Sequence, residues 1–184
     1  QKCYSLSKRR ITLSTSGIVP EIEAITGKTD VSLAISLHAS NDDLRNKIVP
    51  INKKYPIKDL LSSSKKYLNS LNSKSYITIE YILIKNVNDS IEDATNLVNL
   101  LSDLKCKINL IPFNPFPESN YERSTDKKVK VFKDYLIKHN FIATVRVTRG
   151  DEIDGACGQL VGKLINPIGS KKSKNKQIAA QNLH

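Results

Sequence analysis

The sequence predicts an α/β fold in which the strands run parallel and helices flank the sheet. Short β-branched or apolar runs alternate along the 184 residues with segments whose apolar side chains recur at helical spacing. This alternation indicates βα units with right-handed connections, and it contains no longer internal repeat. No apolar run approaches the ~18 residues that a membrane span requires. The strand segments are too few to close a full eight-stranded barrel.

Five segments have the composition of strands. The first is β-branched and stops before Ser16 and Gly17, the second is mostly apolar, and the third alternates. The fourth ends in a run in which Pro112, Pro115 and Pro117 cannot donate to a strand ladder. The predicted strands span residues 10–14, 31–37, 76–84, 107–111 and 142–147.

The helical segments between these strands carry recognisable start signals. Pro20 and Pro56 each stand just before a helical pattern, where a missing N–H costs nothing. Ser90 predicts an N-cap, because its hydroxyl can accept a backbone N–H, and Asp93 stands in a capping-box position. The predicted helices span 21–25, 57–71 and 129–138, with another after Ser90 and a short piece after Asp42.

The strongly basic composition predicts a polyanionic partner. A net charge of +11 attracts polyanions, of which nucleic acid is the usual one. Basic residues cluster at 8–10, 53–54 and 171–176. The last cluster lies in residues 166–184, a Ser/Asn/Lys-rich stretch that predicts a basic, disordered tail. Lysine-driven solubility is the competing explanation of the charge.

The three cysteines, Cys3, Cys106 and Cys157, are an odd number at wide spacing. None forms a Cys-x-x-Cys pair or stands beside a histidine at the spacing of metal ligands. The sequence therefore predicts neither a disulfide framework nor a complete metal site. Ala156 and Gly158 leave the sulfur of Cys157 approachable. The acidic residues upstream do not by themselves activate a thiol, and a lone cysteine is more often a small buried apolar residue.

Three predicted strand ends carry polar groups where ligand sites of parallel sheets gather. Ser14 offers a hydroxyl after the first strand, although such residues commonly serve only in turns. Ser36 and His38 end the second strand, and strand alternation predicts both side chains on one side. A structural role for His38 is the competing explanation. Asn114 offers a donor and an acceptor suited to an adenine edge, or serves loop geometry alone.

Five longer motifs occur in register along the chain: KRRITLSTSG at 8–17, AISLHA at 34–39, IVPINKKY at 48–55, KINLIPFNPFP at 107–117 and TRGDEIDGACGQL at 148–160. In order and spacing they closely resemble the RlmN family of radical S-adenosylmethionine (radical-SAM) RNA adenosine methyltransferases. The resemblance identifies residues 1–165 as the carboxyl-terminal portion of such a methyltransferase domain. It implies a partial radical-SAM (β/α) barrel with parallel strands and flanking helices.

The resemblance also implies an activity, the methylation of C2 of adenosine in 23S ribosomal RNA and tRNA. Because C2 is too weakly nucleophilic to take a methyl group from a sulfonium, the family uses a radical route. One S-adenosylmethionine methylates a cysteine, and a second is cleaved at a [4Fe-4S] cluster to give a radical that activates this methyl group. The implied methyl carrier is Cys157, and the implied cofactor contacts are Ser14, Ser36, Leu37, His38 and Asn114.

Several parts of the family pattern lie upstream of the matching region and are absent from this chain. They are the cluster-binding Cys-x-x-x-Cys-x-x-Cys, a Gly-Glu-Pro segment near the cofactor, and a second catalytic cysteine. We therefore expect a fragment that holds part of the S-adenosylmethionine site, lacks the cluster ligands and does not turn over alone. The complete enzyme would need an external electron donor, and we expect it in the cytoplasm without a membrane partner. Its oligomeric state is open.

Other functions compete with this interpretation. A Cfr-type relative would methylate C8 of the same adenosine, and the IVPINKKY motif modestly favours RlmN over it. The missing cluster motif and the basic charge also fit an inactive, RNA-binding remnant of such an enzyme. A metabolic enzyme with a TIM barrel would fit the alternation but would explain none of the long motifs.

Overall fold

A computed structural model describes residues 11–117 and 119–146 of the chain. In this part, five strands form one sheet in their sequence order, and every neighbouring pair is parallel. The five predicted strands are confirmed, with small shifts at their ends. The strands are β1 (Thr12–Thr15), β2 (Ser32–Ser36), β3 (Ile77–Leu83), β4 (Cys106–Pro112) and β5 (Ile142–Val145).

The helices follow the predicted pattern, and their ends show why some boundaries differ. The capping box at Ser90 and Asp93 is confirmed. The last helix begins earlier than predicted because the Thr125 hydroxyl caps it by accepting the amide of Lys128 at 3.3 Å. A short 3-10 helix at Pro50–Lys53 was not predicted. The α-helices are α1 (Val19–Ile25), α2 (Asp42–Ile48), α3 (Ile57–Asn69), α4 (Ile91–Leu101) and α5 (Asp126–Lys138).

One face of the sheet packs against helices and forms the main core. Most strand side chains that point to this face are apolar, and each fully buried apolar one stabilises the fold by about 1.5–3 kcal/mol. The core includes Leu33, Ile35, Ile79, Tyr81, Ile108 and Leu110 from the strands, with Ile22, Leu60, Leu97, Phe132 and Leu136 from the helices. Within the described ranges, no helix has the length and apolar character that a bilayer span requires.

A second apolar cluster lies beyond the carboxyl ends of the central strands. Its buried members are Ala39, Ile48, Val49, Ile82, Ile84 and Phe113. The ring of Phe113 packs against Phe116 in a tilted arrangement and against Tyr121 edge-to-face, at 6.1 Å between ring centroids in both cases. The Phe113 amide donates to the carbonyl of Leu83 at 3.0 Å, so the β3–β4 ladder continues past the proline that ends β4. The cluster holds the loops after β2 and β4 against the end of β3.

Arg45 is fully buried and joins three parts of the carboxyl edge of the sheet. Its guanidinium donates to the carbonyls of Ser16 at 2.7 Å, Ser36 at 3.1 Å and Leu37 at 3.0 Å. It also donates to Oδ1 of Asn52 at 2.8 Å. Burial lowers the pKa of Arg45 to about 10, against the opposing effect of Asp42, so the group stays charged at neutral pH. One cation thus joins the ends of β1 and β2 to the 3-10 helix.

The turn after β1 approaches this guanidinium closely because it contains Gly17. The residue has φ +109°, and a Cβ atom there would lie 3.1 Å from Nη2 of Arg45 and 3.0 Å from Leu60. On the other side, Asn52 donates to Oδ1 of Asp42 at 2.7 Å, and the same oxygen accepts the first amide of α3, that of Ile57. The buried network therefore extends from β1 to the start of α3.

Replacing Arg45 with methionine should lower the free energy of unfolding by about 3 kcal/mol, because buried carbonyls lose their donor without access to water. Urea denaturation followed by circular dichroism measures the change. The matched control is Lys47→Met in the exposed part of the same helix, for which we expect a change within about 0.5 kcal/mol. Equal effects of the two substitutions would contradict the structural role of Arg45.

Candidate functional site

The predicted cofactor contacts lie along the carboxyl edge of the sheet. Ser14 is exposed near the end of β1 and pairs in register with Ala34 of β2. Asn114 is half-buried two residues beyond β4, where the buried ring of Phe113 anchors its backbone. Neither side chain hydrogen-bonds to another residue of the described ranges. Both are therefore available to a ligand at this edge.

Ser36 and Leu37 are fixed by hydrogen bonds to other residues of the protein. The Ser36 hydroxyl donates to Oε2 of Glu80 on β3 at 3.0 Å. The Leu37 side chain is buried, its amide donates to the Glu80 carbonyl at 3.0 Å and its carbonyl accepts from Arg45. These two predicted contacts thus shape the strand end, and Ser36 still offers an acceptor oxygen.

His38 lies beyond the end of β2 in a left-handed conformation, with φ +62°. Strand alternation therefore does not orient its ring, contrary to the prediction from the sequence. Instead Nδ1 accepts the amide hydrogen of Ile82, the second residue after Glu80 on β3, at 3.2 Å. An amide N–H can only donate, so Nδ1 is the acceptor and the neutral ring carries its hydrogen on Nε2. β3 thus fixes both the position of the ring and its tautomer.

The same environment keeps His38 uncharged. Burial lowers its pKa to about 4, and the positive charge of Arg45 acts in the same direction, while the backbone carbonyl of Glu80 opposes them. At neutral pH the ring is therefore a neutral hydrogen-bond donor through Nε2. It can bind an acceptor atom of a ligand, but it cannot form an ion pair.

Asn88 holds the backbone of His38 and was missed by the sequence analysis. Its side chain is fully buried and donates from Nδ2 to the carbonyls of His38 at 3.0 Å and Ile82 at 2.8 Å. Its Oδ1 accepts the amide of Ile84 at 2.8 Å. Only an amide side chain offers two donors and an acceptor in this arrangement. Asn88 therefore connects the loop after β2 to the end of β3.

The face of the sheet opposite the main core carries a row of polar side chains, which we call the polar row. The strand register places Ser36, Glu80, Asn109 and Thr144 side by side on four neighbouring strands. Two hydrogen bonds join the row in pairs, from Ser36 to Glu80 at 3.0 Å and from Thr144 to Oδ1 of Asn109 at 3.3 Å. The first three side chains are half-buried and Thr144 is exposed. This face can therefore receive a polar ligand.

The two central members, Glu80 and Asn109, were not predicted. Both alternate with apolar residues in strands whose other face is buried, and this pattern in the sequence is the signal that could have revealed them. Arg45 and Asn52 were missed too, because arginine and asparagine in short helices are ordinarily exposed.

The cysteines divide between the described residues and the rest of the chain. Cys106 is buried at the start of β4, and burial raises its pKa to about 12. Cys157, the predicted methyl carrier, and Cys3 lie outside the described residues. In the ranges 11–117 and 119–146, no cluster of three or more histidine, cysteine or carboxylate residues could hold a metal ion.

The chain is similar in sequence to curated RNA methyltransferases. Over 161 residues the chain is 58% identical to the dual-specificity RNA methyltransferase RlmN of Pseudomonas entomophila (strain L48), which covers 88% of this chain and 42% of that protein. RlmN of Pseudomonas fluorescens (strain SBW25) is 54% identical over 163 residues, 89% of this chain and 43% of that protein. This chain is homologous to part of RlmN. The resemblance carried by the five motifs is confirmed, and the match is consistent with a carboxyl-terminal part. No family model matches.

Solved structures support the same conclusion about the fold. A radical SAM methyltransferase from Sphaerobacter thermophilus superposes with a TM-score of 0.77 at 44% identity, over 83% of this chain and 44% of that one. A domain of pyruvate-formate lyase-activating enzyme from Bacteroides vulgatus has a TM-score of 0.56 at 14% identity, over 74% of this chain and 80% of that one, and shows the fold alone. The predicted partial radical-SAM barrel is confirmed. The chain spans less than half the length of its RlmN relatives.

Acidification should destabilise the protein through His38. The folded pKa of about 4 lies below the ordinary value of 6.5, so the unfolded chain binds the proton more readily and stability falls as the pH drops from 6.5 towards 4. The control is His38→Asn, which tolerates the left-handed backbone. Urea titrations across this pH range should show the wild type losing stability relative to the variant. Parallel curves would contradict a buried neutral His38.

Removing the Asn88 side chain should weaken both the fold and the His38 loop. Asn88→Ala leaves the amide of Ile84 and the carbonyl of His38 without partners, so we expect a loss of about 2–3 kcal/mol in unfolding free energy. Asn96→Ala, on the exposed face of α4, is the matched control with little expected change. Nitrogen-15 NMR should also show that the His38 ring loses its single tautomer in Asn88→Ala. An unchanged ring signal would contradict the link between these residues.

Proposed function

We propose that this chain is the carboxyl-terminal part of a radical-SAM methyltransferase that methylates C2 of adenosine in 23S ribosomal RNA and tRNA. One observation carries the proposal. Polar side chains that can hydrogen-bond to a ligand line one edge of the sheet, in a chain that is 58% identical to an RlmN protein over 161 residues. Residues 1–165 would belong to this domain, and the basic tail at 166–184 lies outside the described residues.

The donor set at the carboxyl edge fits S-adenosylmethionine. Ser14 and Asn114 offer a hydroxyl and an amide group that hydrogen-bond to no other residue of the described ranges, and these groups suit the ribose and the adenine edge. His38 offers a neutral N–H donor, and the acceptor oxygen of Ser36 is oriented by Glu80. Leu37 contributes through the strand end that its backbone hydrogen bonds hold. When bound, S-adenosylmethionine supplies the methyl group and the 5′-deoxyadenosyl radical that this chemistry requires.

Cys157 is the proposed methyl-carrying residue. A thiolate is a strong enough nucleophile to accept a methyl group from a sulfonium, whereas C2 of adenine is not. Its sequence neighbours Ala156 and Gly158 are both small residues. The buried Cys106 cannot replace it, because its high pKa keeps the sulfur protonated and it lies at the amino end of β4.

The described residues do not fit a [4Fe-4S] cluster. Such a cluster needs several cysteine thiolates, and the described ranges contain Cys106 alone. The role of the residues in these ranges is therefore to bind and orient the cofactor and the substrate. Reduction of a cluster would require ligands and an electron donor from elsewhere.

Charge at the same edge supports RNA as the substrate class. Lys53 and Lys54 are exposed in and beside the 3-10 helix, which follows α2 and is joined to the ends of β1 and β2 through Arg45. Lys54 lies 5.3 Å from the ring centroid of Tyr55, so a cation and an aromatic surface stand together. These side chains could contact phosphates and bases near the cofactor edge. A ribosomal and tRNA substrate would place the enzyme in the cytoplasm.

A chimera tests the proposed function. This chain replaces the homologous region of P. entomophila RlmN, and the fusion is expressed in a bacterial host that lacks adenine C2 methylation. We expect 2-methyladenosine in ribosomal RNA and tRNA, measured by mass spectrometry of digested RNA. Cys157→Ala in the chimera should reduce this product at least a hundredfold, whereas the control Cys106→Ala should keep it.

The product identifies the reaction class. Formation of 8-methyladenosine instead would assign the Cfr-type reaction. Absence of any methylated adenosine from a folded, cluster-loaded chimera that binds S-adenosylhomocysteine would contradict the proposal and favour an RNA-binding remnant. A Cys157→Ala chimera with full activity would overturn the role of that cysteine.

A further inference from the structure

A carboxylate, that of Glu80, lies at the centre of the polar row. Glu80 is half-buried in the middle strand of the sheet, and no ion pair joins it to any residue of the described ranges. Strands of parallel sheets are ordinarily apolar on both faces, and a partly buried carboxylate is costly unless it is compensated. Within the described ranges, the carboxylate accepts one hydrogen bond, from Ser36 to Oε2. The second oxygen, Oε1, is left for another donor.

Asn109 is the register partner of Glu80 on β4. Thr144 donates to Oδ1 of Asn109, and this contact leaves the two N–H donors of Nδ2 for another acceptor. No hydrogen bond joins Asn109 to Glu80 in the described structure, although neighbouring strands lie only about 4.8 Å apart. Ser36 and Thr144, at the two ends of the polar row, thus orient Glu80 and Asn109 at its centre. A hydrogen-bond acceptor therefore lies beside a hydrogen-bond donor.

An acceptor beside a donor complements one edge of an adenine. The exocyclic amino group of adenine donates, and the adjacent ring nitrogen accepts. Carboxylates accept hydrogen bonds from exocyclic amino groups of bases, and asparagine is the side chain that pairs with adenine at its amino group and ring nitrogen. Guanine and hypoxanthine carry a carbonyl oxygen at the amino position, and it would face the carboxylate of Glu80.

We propose that Glu80 and Asn109 together bind the amino edge of an adenine, with Glu80 accepting from the amino group and Asn109 donating to the ring nitrogen. The inference deepens the proposed function and rests on it, because both the cofactor and the target nucleotide carry adenine. Ser36 and Thr144 serve as positioning residues that orient the Glu80 carboxylate and the Asn109 amide. The pair therefore gives the site a preference for adenine over hypoxanthine.

Two binding measurements on the full chain distinguish the source of the adenine. The first compares S-adenosylhomocysteine with S-inosylhomocysteine by calorimetry. The second compares two labelled RNA hairpins by fluorescence anisotropy, one with adenosine and one with inosine as the only purine in its loop. In one of these pairs we expect the wild type to prefer adenine about tenfold, as a good pair of hydrogen bonds to a base edge allows. The pair of probes that shows the preference identifies whether the bound adenine belongs to the cofactor or to the target nucleotide.

Glu80→Gln is the decisive variant. The glutamine oxygen can still accept from Ser36, so the strand contact remains, but its NH₂ group replaces the acceptor that faces the base. The adenine preference should fall to about onefold or invert. Asn109→Asp should also remove it by replacing a donor with an acceptor. The matched control is Thr78→Val, on the same face of β3 and two residues nearer its amino end, which should keep the wild-type ratio.

Each result decides the inference. The inference would be wrong if the wild type bound the probes without any adenine preference in either pair. It would also be wrong if Glu80→Gln weakened the binding of both probes of a pair equally, because the carboxylate would then contact another part of the ligand. Thermal unfolding of the variants near the wild-type temperature shows that the fold is kept. Failure of the wild type to bind either class of probe would instead overturn the proposed function itself.

Discussion

The carboxyl edge of this sheet depends on one buried cation. Among the residues that the structure describes, Arg45 hydrogen-bonds to no carboxylate and instead donates to carbonyl oxygens at the ends of β1 and β2 and to the side chain of Asn52. The three carbonyl oxygens lie at strand ends, where the ladder stops and a backbone acceptor would otherwise be unpaired. A single guanidinium, with five donors in a rigid plane, satisfies them together. The strand ends that carry Ser36 and His38 are thereby fixed relative to β1.

β3 supports the site from the other side. Its Glu80 carbonyl accepts the amides of Leu37 and His38, and its Ile82 amide binds the His38 ring. The loop that follows β3 adds Asn88 and also Asp89, whose buried carboxylate accepts from Ser124 at 2.8 Å and pairs with Lys128 of α5 at 3.0 Å. The site is therefore built on the most buried strand of the sheet, which favours a rigid arrangement of its groups.

The two faces of the sheet separate stability from recognition. The helix-covered face supplies the apolar burial that holds the domain together, so the opposite face can carry polar groups without loss of the core. Both proposals place binding groups away from the core: the carboxyl edge would bind the cofactor, and the polar row would bind the amino edge of an adenine. Both depend on side chains that are oriented by neighbours in the sheet. Loops alone would give such groups less precision.

Local patterns in the sequence determined the fold class, the strand and helix order, the cap at Ser90 and the polar strand ends, because periodicity and capping act over a few residues. The long motifs identified the RlmN relationship. Other features were decided only by the tertiary structure, since their partners are distant: Arg45 reaches Ser16 across 29 positions and Asn88 reaches His38 across 50. The orientation of the His38 ring and the side-by-side placement of Glu80 and Asn109 depend on strand register. Register is set by the packing of the whole sheet, which no short stretch of sequence specifies.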